Sequence, residues 1–128
     1  MSAPKRILVI DDDDDDREIF LEIISELNPE TVPLIAVNGA DGIEKLTTAE
    51  HLPGIIFLDL NMPIMSGTEF LQKIKPMENL NHIPIVIFST SNDEYAIREA
   101  KALGATEFIT KPDKFKDWRT VLRRFIVR

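Results

Sequence analysis

The sequence contains no cysteine, which excludes a disulfide framework and any thiolate metal site. It has no long apolar run: the longest stretches, such as Ile83 to Phe88, fall far short of the roughly 20 residues that a membrane-spanning helix needs. The opening segment Met1-Ser2-Ala3-Pro4-Lys5-Arg6 lacks a secretory core and a cleavage pattern, so the expectation is a cytoplasmic protein with no membrane partner. Basic residues are in the minority. Fifteen Lys and Arg face 22 Asp and Glu, for a formal net charge of −7, which argues against direct nucleic-acid binding. No glycine-rich phosphate loop follows the first apolar segment, which weighs against nucleotide binding. There is no internal repeat, low-complexity tract or linker, so residues 1–128 read as one domain.

What is present is a globular composition, 44% hydrophobic and 29% charged, arranged as alternating short apolar runs and helical stripes. Ile7 to Ile10, Leu34 to Val37, Ile55 to Leu58, Pro84 to Phe88 and Phe108-Ile109 read as strands. They are apolar throughout, as in a parallel sheet covered on both faces. Between and after them lie helical stripes. Ile19, Phe20, Ile23, Ile24 and Leu27 mark the first, and Ile43 and Leu46 a weaker second. Phe70, Leu71 and Ile74 mark the third, and Ala96, Ile97, Ala100 and Leu103 the fourth, which stops at Gly104. Trp118, Val121, Leu122, Phe125 and Ile126 give the clearest stripe. The expected architecture is an α/β domain with five parallel strands and helices on both faces, whose ligand site lies at the carboxyl ends of the strands.

Those strand ends carry the chemistry. The first ends in Asp11-Asp12, the third in Asp59, the fourth in Ser89 and the fifth in Thr110-Lys111. Two carboxylates roughly 5 Å apart repel by about 3 kcal/mol at an effective dielectric near 20, so three on one rim call for a cation. An all-oxygen donor set suits Mg²⁺, and the His and Cys ligands that would indicate zinc are missing from these positions. Asp59 stands alone at a central strand end, as a carboxylate nucleophile that forms an aspartyl-phosphate would. Lys111 supplies a flexible point charge, and the Ser89 hydroxyl can donate a hydrogen bond to a phosphoryl oxygen. Taken singly, each residue has a plainer role: Asp12 or Asp13 as a helix cap, Ser89 and Thr90 as turn or cap residues, Lys111 as a surface lysine and Phe108 as a packed aromatic. The ordered set of acid pair, acid, hydroxyl and lysine is what makes coincidence a poor account.

The segments Ile7-Leu8-Val9-Ile10-Asp11-Asp12, Leu58-Asp59-Leu60-Asn61-Met62-Pro63, Met65-Ser66-Gly67, Ile87-Phe88-Ser89 and Lys111-Pro112 resemble the receiver domain of two-component response regulators. The resemblance implies a flavodoxin-like sheet of order 2-1-3-4-5. It implies that Asp59 is the phosphoacceptor, with Mg²⁺ held by Asp11, Asp12, Asp59 and the backbone carbonyl of Asn61. Lys111 then contacts the phosphoryl group, Ser89 and Phe108 are the switch pair, and Asn61, Thr90 and Ser91 border the approach of water. A cis bond before Pro112 is also implied. The implied partners are a histidine kinase or phosphotransfer protein, an unidentified downstream protein, and a second copy docked through the face of the fourth helix, fifth strand and fifth helix. Self-catalysed phosphorylation and dephosphorylation are the only enzymic steps expected. Ile74 to Pro84 and Ser89-Thr90-Ser91 look like the regulators paired with phytochrome-type kinases.

Two features depart from the pattern. Asp13 to Asp16 are unusually acidic and are expected to cap the first helix rather than bind further metal, and Ser66 replaces a common aspartate. A rival reading is a phosphohydrolase similar to the haloacid dehalogenase superfamily, with Asp11 as nucleophile and Asp13 as general acid. It leaves Asp59 without a role. A third reading, an interaction module that has lost the chemistry, is opposed by the intact acid pair, Asp59 and Lys111.

Overall fold

The computed structural model describes residues 5–126. Its elements alternate strictly: β1 (Arg6–Ile10), α1 (Asp14–Leu27), β2 (Val32–Ala36), α2 (Gly39–Thr48), β3 (Ile55–Leu58), α3 (Gly67–Ile74), β4 (Ile85–Ser89), α4 (Glu94–Ala102), β5 (Glu107–Thr110) and α5 (Phe115–Ile126). All four strand pairings are parallel, and the order β2-β1-β3-β4-β5 is that of a flavodoxin-like sheet. The chain leaves β1 toward one edge and returns on its other side to lay down β3. The strand order therefore reverses between β1 and β3, and a crevice opens beyond their carboxyl ends.

The continuous apolar character of the strands follows from cover on both faces. Leu8, Ile10, Ile56, Leu58 and Ile87 pack with Leu46 of α2, Phe70 of α3 and Ala100 of α4. Ile7, Val9, Phe57 and Phe88 pack with Phe20 of α1 and with Trp118 and Leu122 of α5. On that second face the Phe20 ring lies 5.4 Å from Phe57 and 5.3 Å from Phe88, and Trp118 stands 4.8 Å from Phe88. These edge and tilted contacts add to burial, and they pin α1 and α5 against the same strands.

Local signals set the boundaries. Asp13 caps α1, its carboxylate accepting the Asp16 N–H at 2.9 Å. Ser66 and Glu69 form a reciprocal capping box at the start of α3. Gly104, at φ 106°, ends α4 in a Schellman motif: its N–H donates to Lys101 O, and the Ala105 N–H donates to Ala100 O. Val37 lies just beyond β2, not inside it, because its N–H is taken by the Asp41 carboxylate at 3.0 Å. Thr90 does not cap α4; that position belongs to Asp93. The bond before Pro112 is not cis, since no cis peptide occurs among the described residues. Trans is the intrinsically favoured isomer, and in it the Pro112 carbonyl accepts the Trp118 indole N–H at 2.8 Å.

Gly67 begins α3 immediately behind the third strand end. A Cβ there would meet the Asp59 carbonyl oxygen at 2.5 Å and Leu60 Cα at 2.7 Å, and backbone cannot swing aside as a flexible side chain can. Gly67→Ala is therefore expected to lower the urea unfolding free energy by about 1–3 kcal/mol, the range for overpacking, despite alanine's better helix propensity. An unchanged or higher midpoint would contradict this close packing.

Candidate functional site

The sheet ladder runs one residue past the strands and fixes the rim. The Asp11 N–H donates to Ala36 O at 3.1 Å, the Asp59 N–H to Ile10 O at 3.0 Å, and the Lys111 N–H to Ser89 O at 2.8 Å. Asp11, Asp59 and Ser89 are consequently held by backbone pairing and buried, with exposures of 1%, 6% and 0%. Asp12, next in line after Asp11, is exposed. One carboxylate oxygen from each of Asp11, Asp12 and Asp59 lies within 4.8 Å of the others, which makes this a group able to hold a metal ion.

Lys111 reaches into this acidic group from the end of β5. Its Nζ lies 2.7 Å from Asp11 Oδ2, 2.7 Å from Asp16 Oδ2 and 3.7 Å from Asp59 Oδ2. Each carboxylate oxygen of Asp11 has a partner, since the other one accepts the Asp13 N–H at 2.9 Å, and its backbone carbonyl accepts Arg17 Nη1 at 2.8 Å; lone pairs remain on both oxygens for a cation. Arg17 is also paired with Asp14.

Burial dominates the electrostatics of the carboxylates. It pushes Asp11 up to about 6 from an ordinary 3.8, against the opposing pull of Lys111 and the Asp13 N–H. Asp59 is also raised, by burial first; Lys111, the Ser89 hydroxyl and the Asn61 N–H pull it back, and Asp12 adds to the rise. Lys111 is shifted up despite its burial, by its hydrogen bonds to Asp11 and Asp16 and by the charges of Asp11 and Asp59. Buried carboxylates that resist ionisation, packed around one ammonium, fit a divalent cation: it would supply the missing positive charge, and the all-oxygen donors suit a hard ion.

Most of the expected site residues converge here. Ser89 lies near enough to Asp59 to favour its charged form, and its hydroxyl oxygen accepts the Ser91 N–H at 3.4 Å. The Asn61 N–H approaches Asp59 Oδ1 at 3.4 Å, while its side chain is exposed. Thr90 is exposed at the rim and Ser91 half-buried. Phe108 stands apart from the carboxylates, half-buried on β5 opposite Ile87. Asp13 is committed to the α1 cap, and none of Asp13 to Asp16 joins a metal-competent group among the described residues. A free general acid at Asp13, which the hydrolase reading requires, is therefore lacking. Asp16 was expected only as part of a cap, yet it is a direct partner of Lys111. The pairing joins residues 95 apart in sequence, and only a surplus of acid beyond what a cap needs could have hinted at it.

Comparison with known proteins agrees with this geometry. The family described as the response regulator receiver domain matches residues 7–123. The two-component response regulator ORR12 of Oryza sativa subsp. japonica is 33% identical over 122 residues, covering 95% of this chain and 98% of its own length. The chain also matches two histidine kinases, from Dictyostelium discoideum and Helicobacter pylori, of which it spans 4% and 15%. Among solved structures, the phosphorylated cyanobacterial phytochrome response regulator RcpA superposes with a TM-score of 0.88 at 26% identity, over 94% of this chain and 89% of that one. The Mn²⁺-bound form of response regulator Rcp1 gives 0.84 at 26% identity, over 94% and 90%.

The raised Asp11 has a consequence for stability. It protonates more readily in the folded chain, at about 6, than at the ordinary 3.8 of an unfolded one. The metal-free fold thus has its full share of stability from this group below pH 4 and loses it as pH rises through 6. On this account, raising the pH from 4 to 7 in the presence of a chelator costs the wild type about 2–3 kcal/mol more than it costs Asp11→Asn. Urea unfolding across that range checks it; parallel pH profiles for the two proteins would contradict it.

Proposed function

The chain belongs to the response regulator receiver domain family, phosphoacceptor signalling switches of two-component systems, and we propose that Asp59 is its phosphoacceptor. The observation that carries this reading is the position of Asp59: a buried carboxylate beside Asp11 and Asp12, 3.7 Å from the Lys111 ammonium. The donor is a phosphohistidine on a histidine kinase or phosphotransfer protein. An Asp59 oxygen bonds to phosphorus as the phosphorus–nitrogen bond breaks, and the imidazole leaves with the electron pair and regains its proton from solvent. Such transfers need positioning and charge neutralisation more than covalent help. Lys111 neutralises one side of the phosphoryl group, and the Ser89 hydroxyl donates to one of its oxygens. Asp11, Asp12, Asp59 and the Asn61 carbonyl would hold Mg²⁺, which supplies positive charge to the phosphoryl oxygens when bound. The Mn²⁺-bound Rcp1 and the phosphorylated RcpA support this reading by likeness.

In this reading the receiver domain comprises residues 1–128, works in the cytoplasm and takes its signal from a phytochrome-type kinase. Self-catalysed phosphorylation from small donors and self-catalysed hydrolysis are its own activities. Ser89 moves toward the phosphoryl group and Phe108 repacks, which remodels the α4, β5 and α5 face for a downstream protein or a second copy of the chain. Asn61, Thr90 and Ser91 border the water path. Thr90 is β-branched with few rotamers, and without a cap to form it is free to obstruct that path.

Intact-mass analysis and peptide mapping, after incubation with Mg²⁺ and acetyl phosphate, test the reading. The expected result is one phosphoryl group on Asp59, absent from Asp59→Asn and absent with chelator. After donor removal, Thr90→Ala should lose phosphate about tenfold faster, a barrier change of about 1.4 kcal/mol. Phosphate on Asp11 would overturn the assignment, and equal decay in the two proteins would remove Thr90 from the water path.

A further inference from the structure

We propose that Asp16 is a positioning residue for Lys111, holding its ammonium on the α1 side of the site until a phosphoryl group on Asp59 draws it across. The inference rests on Asp59 being the phosphoacceptor. Asp16 is not a loose surface acid. Its side chain is 23% exposed, whereas that of Asp14, two residues earlier on the same turn, is 88% exposed. Its backbone N–H is fixed by the Asp13 cap at 2.9 Å, so the start of α1 aims its carboxylate at Lys111. The contact of 2.7 Å equals that to Asp11, while Asp59 lies at 3.7 Å, beyond hydrogen-bond reach.

An ammonium has three N–H donors. In Lys111 two of them are engaged by carboxylates, one just past the end of β1 and one on α1, and neither carboxylate is the expected nucleophile. A phosphoryl group on Asp59 brings further anionic oxygens, and Lys111 must shift toward them. Asp11 sits at the end of β1 beside Asp59 and is itself an expected metal ligand, so its distance from the phosphoryl group changes little. Asp16 lies on a separate element and can only draw Lys111 away. It therefore stabilises the chain without a phosphoryl group relative to the chain engaged with one. Removing its charge frees Lys111 to bind the donor, and a contact that opposes bound donor and transition state alike changes the half-saturating concentration more than the maximal rate.

The test uses the full chain with saturating Mg²⁺ and acetyl phosphate. In this reaction the Asp59 oxygen–phosphorus bond forms as the phosphorus–oxygen bond to acetate breaks, acetate leaving with the electron pair. Initial rates are measured against donor concentration for the wild type, Asp16→Asn, Asp16→Glu and Asp15→Asn. Asp16→Asn is expected to lower the half-saturating concentration about fivefold with the maximal rate within about twofold. Asp16→Glu should stay near wild type, because it restores the anion. Asp15→Asn should also match wild type, because it removes the same charge one residue away from an exposed position. Independently of any variant, a through-hydrogen-bond coupling from Lys111 Nζ to the Asp16 carboxylate carbon should be seen in the free protein. It should vanish when beryllium fluoride and Mg²⁺ mimic the phosphoryl group. Equal donor dependence in wild type and Asp16→Asn, an equal shift in Asp15→Asn, or a coupling that survives beryllium fluoride would overturn the proposal. Wild-type chain that takes no phosphate on Asp59 would instead overturn the underlying assignment, and the mapped site distinguishes the two failures.

Discussion

One ammonium faces four carboxylates at the open end of the sheet. Asp11 and Asp59 are placed there by the backbone ladder that continues past β1 and β3, so neither can retreat without breaking strand pairing. Asp12 follows Asp11 by necessity of the chain, and Asp16 is aimed inward by the capped start of α1. Lys111 is the single cation bonded to this group among the described residues, and its own backbone N–H is tied to β4. The fold thus concentrates negative charge that it does not itself neutralise. Burial, which disfavours the charged form, raises the proton affinities of Asp11 and Asp59, and the neighbouring carboxylate adds a smaller push to each. A divalent cation and a phosphoryl group with its own charge are the two additions that change it most, and they act in opposite directions.

The proposed coupling to a distant face depends on where these residues sit in the sheet. Ser89 ends β4 and pairs in register with Thr110, while Phe108 lies two residues back on β5 opposite Ile87. The hydroxyl and the ring therefore share one pair of strands but occupy different layers, one at the rim and one half-buried toward α4. A phosphoryl group that pulls on Ser89 acts directly on the β4 end, and the packing beside it is the nearest place for a response.

Much of this was legible in the sequence, for a definite reason. Ile7 to Ile10 and Ile55 to Leu58 are apolar on both faces because helices cover both, so runs without alternation marked the central strands. The acidic, hydroxyl and lysine residues then fell at the strand ends by simple adjacency. Boundaries were less legible where a side chain competes with the ladder. Val37 looks like strand sequence, but the Asp41 carboxylate captures its N–H. Thr90 looks like a cap, but the cap position falls three residues later, at Asp93. The cis bond implied by family likeness is trans here, and no local signal distinguishes the two isomers. The Asp16–Lys111 pair was illegible for another reason: it depends on how α1 docks against the end of β5, a tertiary relation that no spacing within a helix encodes.

The central claim is that Lys111 and a divalent cation share the task of neutralising this rim. The most direct measurement is the unfolding free energy of wild type and Lys111→Met, each with chelator and with Mg²⁺. Removing one partner of a buried ionic group typically costs about 3–5 kcal/mol. Lys111→Met should therefore be markedly less stable than wild type in chelator, and Mg²⁺ should stabilise it more than it stabilises wild type, narrowing the gap. A variant as stable as wild type without metal, or a Mg²⁺ effect no larger than that in wild type, would contradict the account.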